Sequence, residues 1–286
     1  MRRLKSSLVL LLGGLLLAGC RQKVERLEWP VMGTVAAVQT RGYDETVRGM
    51  YLRDTLVKGR LEEIAGLLNA HDPESELSRL ASLSDDEAFA RCSESVRPCY
   101  ACAFMLAPAS DGAFNPRWRG PGTLDFGAIA KGFAVDRAAR DVADSLGTGE
   151  VAPDVLLDLG GNLKAVRGDW KTGVMDPSGT GLAATVELRE GEALATSATY
   201  YRGAHIADGR TGRPVSNDVA SVTVLCRSAM WADGLSTTLF ILGPDAGRAF
   251  LDNKLSAQDA AHAVSVLWIL KDGTQHTYGD ARFSRD

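Results

Sequence analysis

The chain is 286 residues long, 45% of them hydrophobic, with 32 basic and 36 acidic residues and a net charge of −4. That length supports a sizeable core, built as one domain or as two interlocked lobes. A mildly acidic balance without a basic cluster argues against nucleic acid as a partner.

Arg2, Arg3 and Lys5 precede an almost unbroken apolar run from Leu8 to Ala18. A bilayer span needs about 20 residues, so this run is too short to cross and has the length of a signal-peptide core. It ends Leu17-Ala18-Gly19-Cys20, which resembles the lipobox of bacterial lipoproteins. The expected organisation is a cleaved lipoprotein signal over residues 1–19, lipidation at Cys20, a linker over 20–28 and a folded domain over 29–286. Such a protein is exported and lipid-anchored at the periplasmic face of a bacterial membrane. The inner membrane is favoured over the outer, although Arg21 stands where an aspartate commonly signals inner-membrane retention. The mature chain keeps 267 residues, with 29 basic and 36 acidic side chains and a net charge of −7.

Further along, Val31 to Thr40 reads as a strand opened by a Met32-Gly33-Thr34 turn. Leu52, Leu56, Ile64, Leu67 and Leu68 recur at helical spacing, closed by Asn69 and Pro73. Cys92, Cys99, Cys102 and Cys226 can pair in three ways. Cys99-x-x-Cys102 contains Pro98 just before it and has no strand leading in, which favours a structural or unpaired role over a redox motif. Strands are expected at 155–159, 183–188 and 219–226, and a hairpin at 263–278 turns at Lys271-Asp272-Gly273. This mixed order predicts an α+β fold of mixed sheets and helices.

Four segments are too polar and glycine-rich for core alone. Asp125-Phe126-Gly127-Ala128-Ile129-Ala130-Lys131-Gly132 opens a helix running to about Leu146, with Gly147 as its C-cap. Glycine lets backbone approach a ligand, and a helix start offers free N–H groups, both suited to phosphate. Lys131 there is either a solvated lysine or an anion ligand, since the helix dipole does not itself favour a cation at that end. The second segment joins Ala195-Thr196-Ser197 to His205-Ile206-Ala207-Asp208-Gly209-Arg210-Thr211-Gly212-Arg213-Pro214, a turn-rich loop with one histidine at its mouth. In the third, Asp233 and Thr237 share a helix face with Ser236 beside them, an all-oxygen set suited to Mg²⁺. By spacing alone, hydroxyls bonded back to the helix's own carbonyls are the stronger reading there. The fourth, Asp111-Gly112-Ala113-Phe114-Asn115-Pro116, is by itself only a loop.

In this order the segments resemble the ApbE family, the FAD:protein FMN transferases also called thiamine biosynthesis lipoproteins. The resemblance spans about residues 29–245 and is carried by DFGAIAKGFAVDRA at 125–138, HIADGRTGRP at 205–214 and ADGLSTTLFILG at 232–243. Weaker echoes are Met32-Gly33-Thr34, SELSRL at 75–80, GAFNP at 112–116 and LDLGGN at 157–162. The resemblance implies a single ApbE-like domain in which Met32, Ala113, Phe114, Asn115, Asp125, Lys131 and Ile206 contact FAD. It also implies Mg²⁺ held by the Ala128 carbonyl, Asp233 and Thr237, with Ser236 close by, and His205 and Asp233 as catalytic residues. The implied reaction moves FMN from FAD to a threonine hydroxyl of a partner flavoprotein and releases AMP. Acceptors of that kind are flavoprotein subunits of membrane electron-transport complexes. Two alternatives stay open: a metal-dependent FAD pyrophosphatase giving FMN and AMP, and a non-catalytic lipid-anchored flavin-binding protein. The chain departs from the family pattern in a short stretch between Asn115 and Asp125, in Asn115 for aspartate, His71 for a flavin-stacking tyrosine, Ala198 for glycine and Gly209 for proline.

Overall fold

The computed structural model describes residues 23–42, 51–146, 152–199, 206–255, 263–280 and 282–284. The expected leader, Cys20, Gly147 and His205 lie outside these residues. The chain order begins with a hairpin, β1 (Val24–Val31) and β2 (Thr34–Arg41). Met32 and Gly33 connect them with φ of 50° and 67°, the left-handed pair that a two-residue hairpin turn requires. Regular structure therefore starts at Val24, inside the segment expected as linker.

A π-helical stretch Tyr51–Lys58 feeds α1 (Gly59–Leu67), followed by α2 (Glu76–Leu80), α3 (Asp85–Arg91), α4 (Arg97–Ala109) and α5 (Ala130–Leu146). Strands β3 (Asp154–Leu159), β4 (Asn162–Arg167), β5 (Trp170–Met175), β6 (Leu182–Leu188) and β7 (Ala193–Ala198) come next. The small pair β8 (Ala207–Asp208) and β9 (Arg213–Pro214), then β10 (Val219–Cys226), lead to α6 (Ala229–Asn253). β11 (Ser265–Leu270), β12 (Gln275–Tyr278) and β13 (Phe283–Ser284) complete the described chain.

The large sheet has eight strands in the order β1-β2-β3-β4-β7-β10-β11-β12, every neighbouring pair antiparallel. A second sheet, β13-β6-β5, has three strands. The α+β expectation holds, and the arrangement is layered. One core joins the helices to Leu157, Leu159, Ala195, Val222, Val224 and Trp268 of the large sheet. The other packs Trp170, Val186 and Leu188 of the small sheet against Leu163, Leu194, Leu225 and Ile269 on the opposite face. With both faces covered, β10 is buried along its whole length, Ser221 and Thr223 included. The hydroxyl of Thr223 is satisfied by Thr196 across the strand pair at 2.8 Å.

Side-chain alternation along a strand then decides which residues can reach the helices. On β7, Ala195 and Ser197 share the helix side, while Leu194 faces the small sheet. On β4, Leu163 and Ala165 face the small sheet, which leaves Asn162 and Lys164 on the helix side.

Helices α5 and α6 cross over that side. Asp136 of α5 accepts hydrogen bonds from Ser228 Oγ at 2.6 Å, Ala229 N at 2.9 Å and Met230 N at 3.0 Å, capping the start of α6. Replacing Asp136 by alanine is expected to cost about 2 kcal/mol, within the range for a lost cap. For a chain of this size that is a fall of roughly 4–8 °C in melting temperature by calorimetry. The first part of α6 ends at Gly243, whose φ of 74° and ψ of 178° are not helical, and Pro244 starts the second part.

The four described cysteines are free and buried. Cys99 and Cys102 lie in α4 behind Pro98 at its first turn, as the sequence favoured. Burial pushes the Cys226 thiol up to about 12 and raises Cys99 well above the ordinary thiol value. Thiols held protonated in this way are poor nucleophiles, so Cys99-x-x-Cys102 is not built as a redox pair.

Candidate active site

The site forms where α5 meets α6. Gly132 is the contact point, because a Cβ there would lie 2.1 Å from the Ala229 carbonyl oxygen and 2.8 Å from Asp233 Cβ. Absence of a side chain lets the Gly132 N–H reach Asp233 Oδ2 at 3.0 Å. Lys131, one residue earlier, sets its ammonium 3.3 and 3.2 Å from the two Asp233 oxygens and 3.2 Å from the Gly127 carbonyl oxygen. Asp233 is only 5% exposed. Desolvation pushes its carboxyl above the usual carboxylate value, while the Lys131 charge and the Gly132 N–H work in the opposite direction. Residues 102 positions apart in the chain are thus brought into one ion pair.

Hydroxyls line the next turn of α6. Ser236 donates to the Asp233 carbonyl oxygen at 2.9 Å, the local bonding that spacing alone favoured. Thr237 differs. Its Oγ1 lies 3.1 Å from Ser197 Oγ of β7, which is also 2.8 Å from Ser236 Oγ. Each hydroxyl has one proton, and that of Ser236 is already used. Ser197 therefore donates to Ser236, Thr237 donates to Ser197, and among the described residues the lone pairs of Thr237 have no donor. Ser236 is fully buried and Thr237 is half-buried, so Thr237 is the hydroxyl that can meet a ligand.

A second wall comes from the loops at 110–128 and 206–215. Asp125 accepts from Gly127 N at 2.9 Å and Trp118 Nε1 at 3.1 Å, and pairs with Arg119 at 3.1 Å. The short stretch after Asn115 thus holds Asp125 through its own tryptophan and arginine. Through Gly127 this wall is continuous with Lys131 and Asp233. Asn115 donates to the Gly209 carbonyl at 3.1 Å, and Gly209 N donates to the Ala113 carbonyl at 3.0 Å. A Cβ on Gly209 would sit 2.4 Å from Asn115 Cβ and 2.5 Å from the Gly112 carbonyl oxygen. Two of the departures from the family pattern, Asn115 and Gly209, are therefore one contact: an amide donor facing a residue that has no room for a side chain.

The expected site residues divide accordingly. Lys131, Asp233, Ser236 and Thr237 come together. Asp125 joins them by way of Gly127, and Ala128 lies half-buried between Gly127 and the helix start. Ala113, Phe114 and Ile206 are buried, at 0%, 3% and 7% exposure. Met32 occupies the left-handed hairpin turn beside Thr34, which packs against Gly160. Asp208 is bound by Arg210 at 2.6 Å, which holds its carboxyl below the usual value. His71 is exposed on the turn after α1. His205, outside the described residues, adjoins Ile206, whose carbonyl accepts from Val215 N at 2.9 Å.

The sequence reading missed Ser197 as a contact of the α6 hydroxyls, and it missed Asn162. Asn162 is 3% exposed, donates to the Leu159 carbonyl at 3.2 Å and helps keep Asp233 ionised. Among the described residues its buried Oδ1 has no hydrogen-bond partner. Alternation along β4 was the available signal, but only with the register known.

These groups fit a hard divalent cation. Asp233, Thr237 and the Gly127 carbonyl offer oxygen donors, and the Lys131 ammonium on Asp233 and Gly127 marks a position that accepts positive charge. Among the described residues no group of three or more His, Cys, Asp or Glu side chains converges. Mg²⁺ commonly binds through one or two carboxylates together with substrate phosphates.

The ApbE family model matches residues 117–261. The FAD:protein FMN transferase of Vibrio cholerae serotype O1 is 28% identical over a 333-residue alignment that covers 94% of each chain. The protein of that name from Treponema pallidum is 35% identical over 151 residues, covering 45% of this chain and 40% of its own. In structure, the apo flavinyl transferase ApbE of Pseudomonas stutzeri matches with a TM-score of 0.72 at 22% identity, over 94% of this chain and 100% of that one. The flavin transferase ApbE of Vibrio cholerae gives a TM-score of 0.71 at 23% identity, over 91% and 98%. At these identities the structural likeness is one of fold.

Proposed function

Because the chain belongs to the ApbE family, we propose that it is a Mg²⁺-dependent FAD:protein FMN transferase acting on a threonine of a partner flavoprotein. The observation that carries this reading is the junction, at the start of α5, of Lys131, Asp233 and the Gly127 carbonyl, with the Thr237 hydroxyl one turn beyond Asp233 on α6. Asp233, Thr237 and the Ala128 carbonyl would hold Mg²⁺, which supplies charge neutralisation at the FAD pyrophosphate when bound. Lys131 turns from Asp233 toward the phosphates and offsets their negative charge. The backbone of the 113–115 turn, Met32 and Asp125 bound the flavin side of the cleft. A threonine Oγ of the acceptor attacks the phosphorus on the riboflavin side. The new O–P bond forms as the P–O bond to AMP breaks, AMP leaves with the bridging oxygen, and His205 takes the hydroxyl proton. The lipid anchor at Cys20 belongs to the same proposal. It would hold the site at the periplasmic face of the membrane, near electron-transport subunits that acquire FMN there.

The test incubates the detergent-purified protein with FAD, Mg²⁺ and an acceptor subunit, then looks for flavin fluorescence on the denatured acceptor together with AMP. AMP without labelling identifies a pyrophosphatase, and FAD binding with neither product identifies a carrier. Lys131→Ala carries a separate expectation. A charged hydrogen bond contributes about 1.5–3 kcal/mol, so FAD should bind roughly 10- to 100-fold more weakly by fluorescence quenching. Riboflavin, without a pyrophosphate, should bind nearly unchanged; equal losses for the two would make Lys131 merely structural.

A further inference from the structure

We infer that Trp118 and Arg119, in the short stretch between Asn115 and Asp125, are positioning residues for the phosphate side of the site. They act through Asp125 on Gly127, whose carbonyl seats the Lys131 ammonium together with Asp233. The inference rests on the FAD reading above and adds to it a device built from this chain's own short loop. That loop is fixed before it reaches the site. Arg117 donates to the Ala81 and Leu83 carbonyls at 2.7 Å each, to the Thr123 carbonyl at 3.1 Å and to Asp85 at 2.7 Å. Asp125 N returns to the Pro116 carbonyl at 2.8 Å, which closes the loop on itself. Phe126, the next residue, is buried against Tyr100 with ring centroids 4.7 Å apart. The backbone on both sides of Asp125 is thereby held, and its side chain is what remains to be set.

Three donors set it. Trp118 Nε1 and Arg119 Nη2 share Asp125 Oδ2 at 3.1 Å each, and Gly127 N takes Oδ1 at 2.9 Å. The Arg119 guanidinium also lies over the Trp118 ring, 4.8 Å from its centroid, so the two donors brace each other. Gly127 has no side chain to restrain its own backbone, and the bond to Asp125 supplies that restraint. Its carbonyl oxygen then meets Lys131 Nζ at 3.2 Å, at the same ammonium that reaches Asp233. Arg119 has a second effect, because it balances a carboxylate that would otherwise repel a pyrophosphate. Charge balance alone would call for the arginine only. The indole N–H adds direction, since it fixes which way the carboxylate turns toward Gly127.

The experiment measures FAD and riboflavin binding to the detergent-purified full chain by fluorescence quenching, with Mg²⁺ present. Unmodified protein, Trp118→Phe, Lys131→Ala and the double variant are compared. Trp118→Phe removes a neutral N–H and no charge. It is expected to weaken FAD roughly tenfold, within the range for residues that act through a packed network, and to leave riboflavin nearly unchanged. In the Lys131→Ala background the same change should have almost no further effect, because the group it positions is gone. Equal losses for FAD and riboflavin, or losses that add fully to that of Lys131→Ala, overturn the inference and leave Trp118 a support of the loop. Should Trp118→Phe not fold, Arg119→Gln decides by the same cycle, at a side chain 41% exposed. A direct effect of its charge on FAD adds to the Lys131→Ala loss and rejects the assignment, whereas positioning of Lys131 does not add. Unmodified protein that binds FAD while the variants match it rejects this inference alone. Unmodified protein that binds no FAD rejects the FAD reading itself, and this inference with it.

Discussion

Asp233→Ala is expected to reduce flavin transfer by about a thousandfold or more at saturating FAD, the scale on which removal of charge stabilisation at a reacting centre acts. The reason is local. In the proposed cation site Asp233 is the carboxylate, and its proposed companions are the Thr237 hydroxyl and backbone carbonyls. Without it the neutral oxygens hold a divalent cation too weakly, and Lys131 loses the group that positions it. The fold should survive the change. Its cost is the Gly132 N–H left without an acceptor, about 1–3 kcal/mol, and its gain is removal of a buried charge that desolvation disfavours. Melting temperature measured in chelator should therefore move by only a few degrees, while addition of Mg²⁺ stabilises the unmodified protein and not the variant. Retained Mg²⁺ dependence in the alanine variant would refute the metal assignment.

Gly132→Ala should have the second largest effect, and it should strike stability and activity together. A methyl group at this position meets the backbone of Ala229 at 2.1 Å, and backbone cannot swing away as a long side chain can. Helices α5 and α6 must separate by an ångström or more, which opens the contacts between them. A cost of about 3 kcal/mol is expected for such overpacking, or roughly 6–12 °C in melting temperature. Asp233 is displaced from Lys131 and from the residue 132 N–H at the same time. Misplacement by about 1 Å can cost a hundredfold in rate, so activity should remain low well below the lowered melting point. Recovery of full activity at low temperature would show that the close approach matters for stability only.

Much of the site was legible because it is local. Asp233 and Thr237 fall on one helix face through their spacing of four, and the glycine-rich start of α5 brings Gly127 and Lys131 to the same end of a helix. Even there the structure corrected the balance between readings. Ser236 does bond back to its own helix, whereas Thr237 turns to β7. Other elements were hidden. β1 carries the pattern VERLEWPV, which alternates in burial, yet it lies directly beyond the leader and reads as linker until β2 is known to pair with it. Its turn is formed by Met32, a residue seldom found at positive φ, so the usual hairpin signal is missing. Phe114 was expected at the flavin only through the resemblance, and burial of its ring in the core is a tertiary outcome that the loop sequence does not show.

The sequence by itself determined the elements whose signals repeat over a few residues: the helical patterns before Asn69 and after Ile129, the strands near 155–159, 183–188 and 219–226, and the motifs that place the chain in its family. Tertiary structure decided which of these meet. The Lys131–Asp233 pair, the Asp136 cap on α6, the Asn115–Gly209 contact and the placing of Ser197 under α6 each join distant segments. Those contacts depend on strand order and on register, where a shift of one residue would send Asn162 and Ser197 to the opposite face of the sheet. Spacing along the chain carries no record of that choice, because it is made by the packing of two cores on a shared sheet.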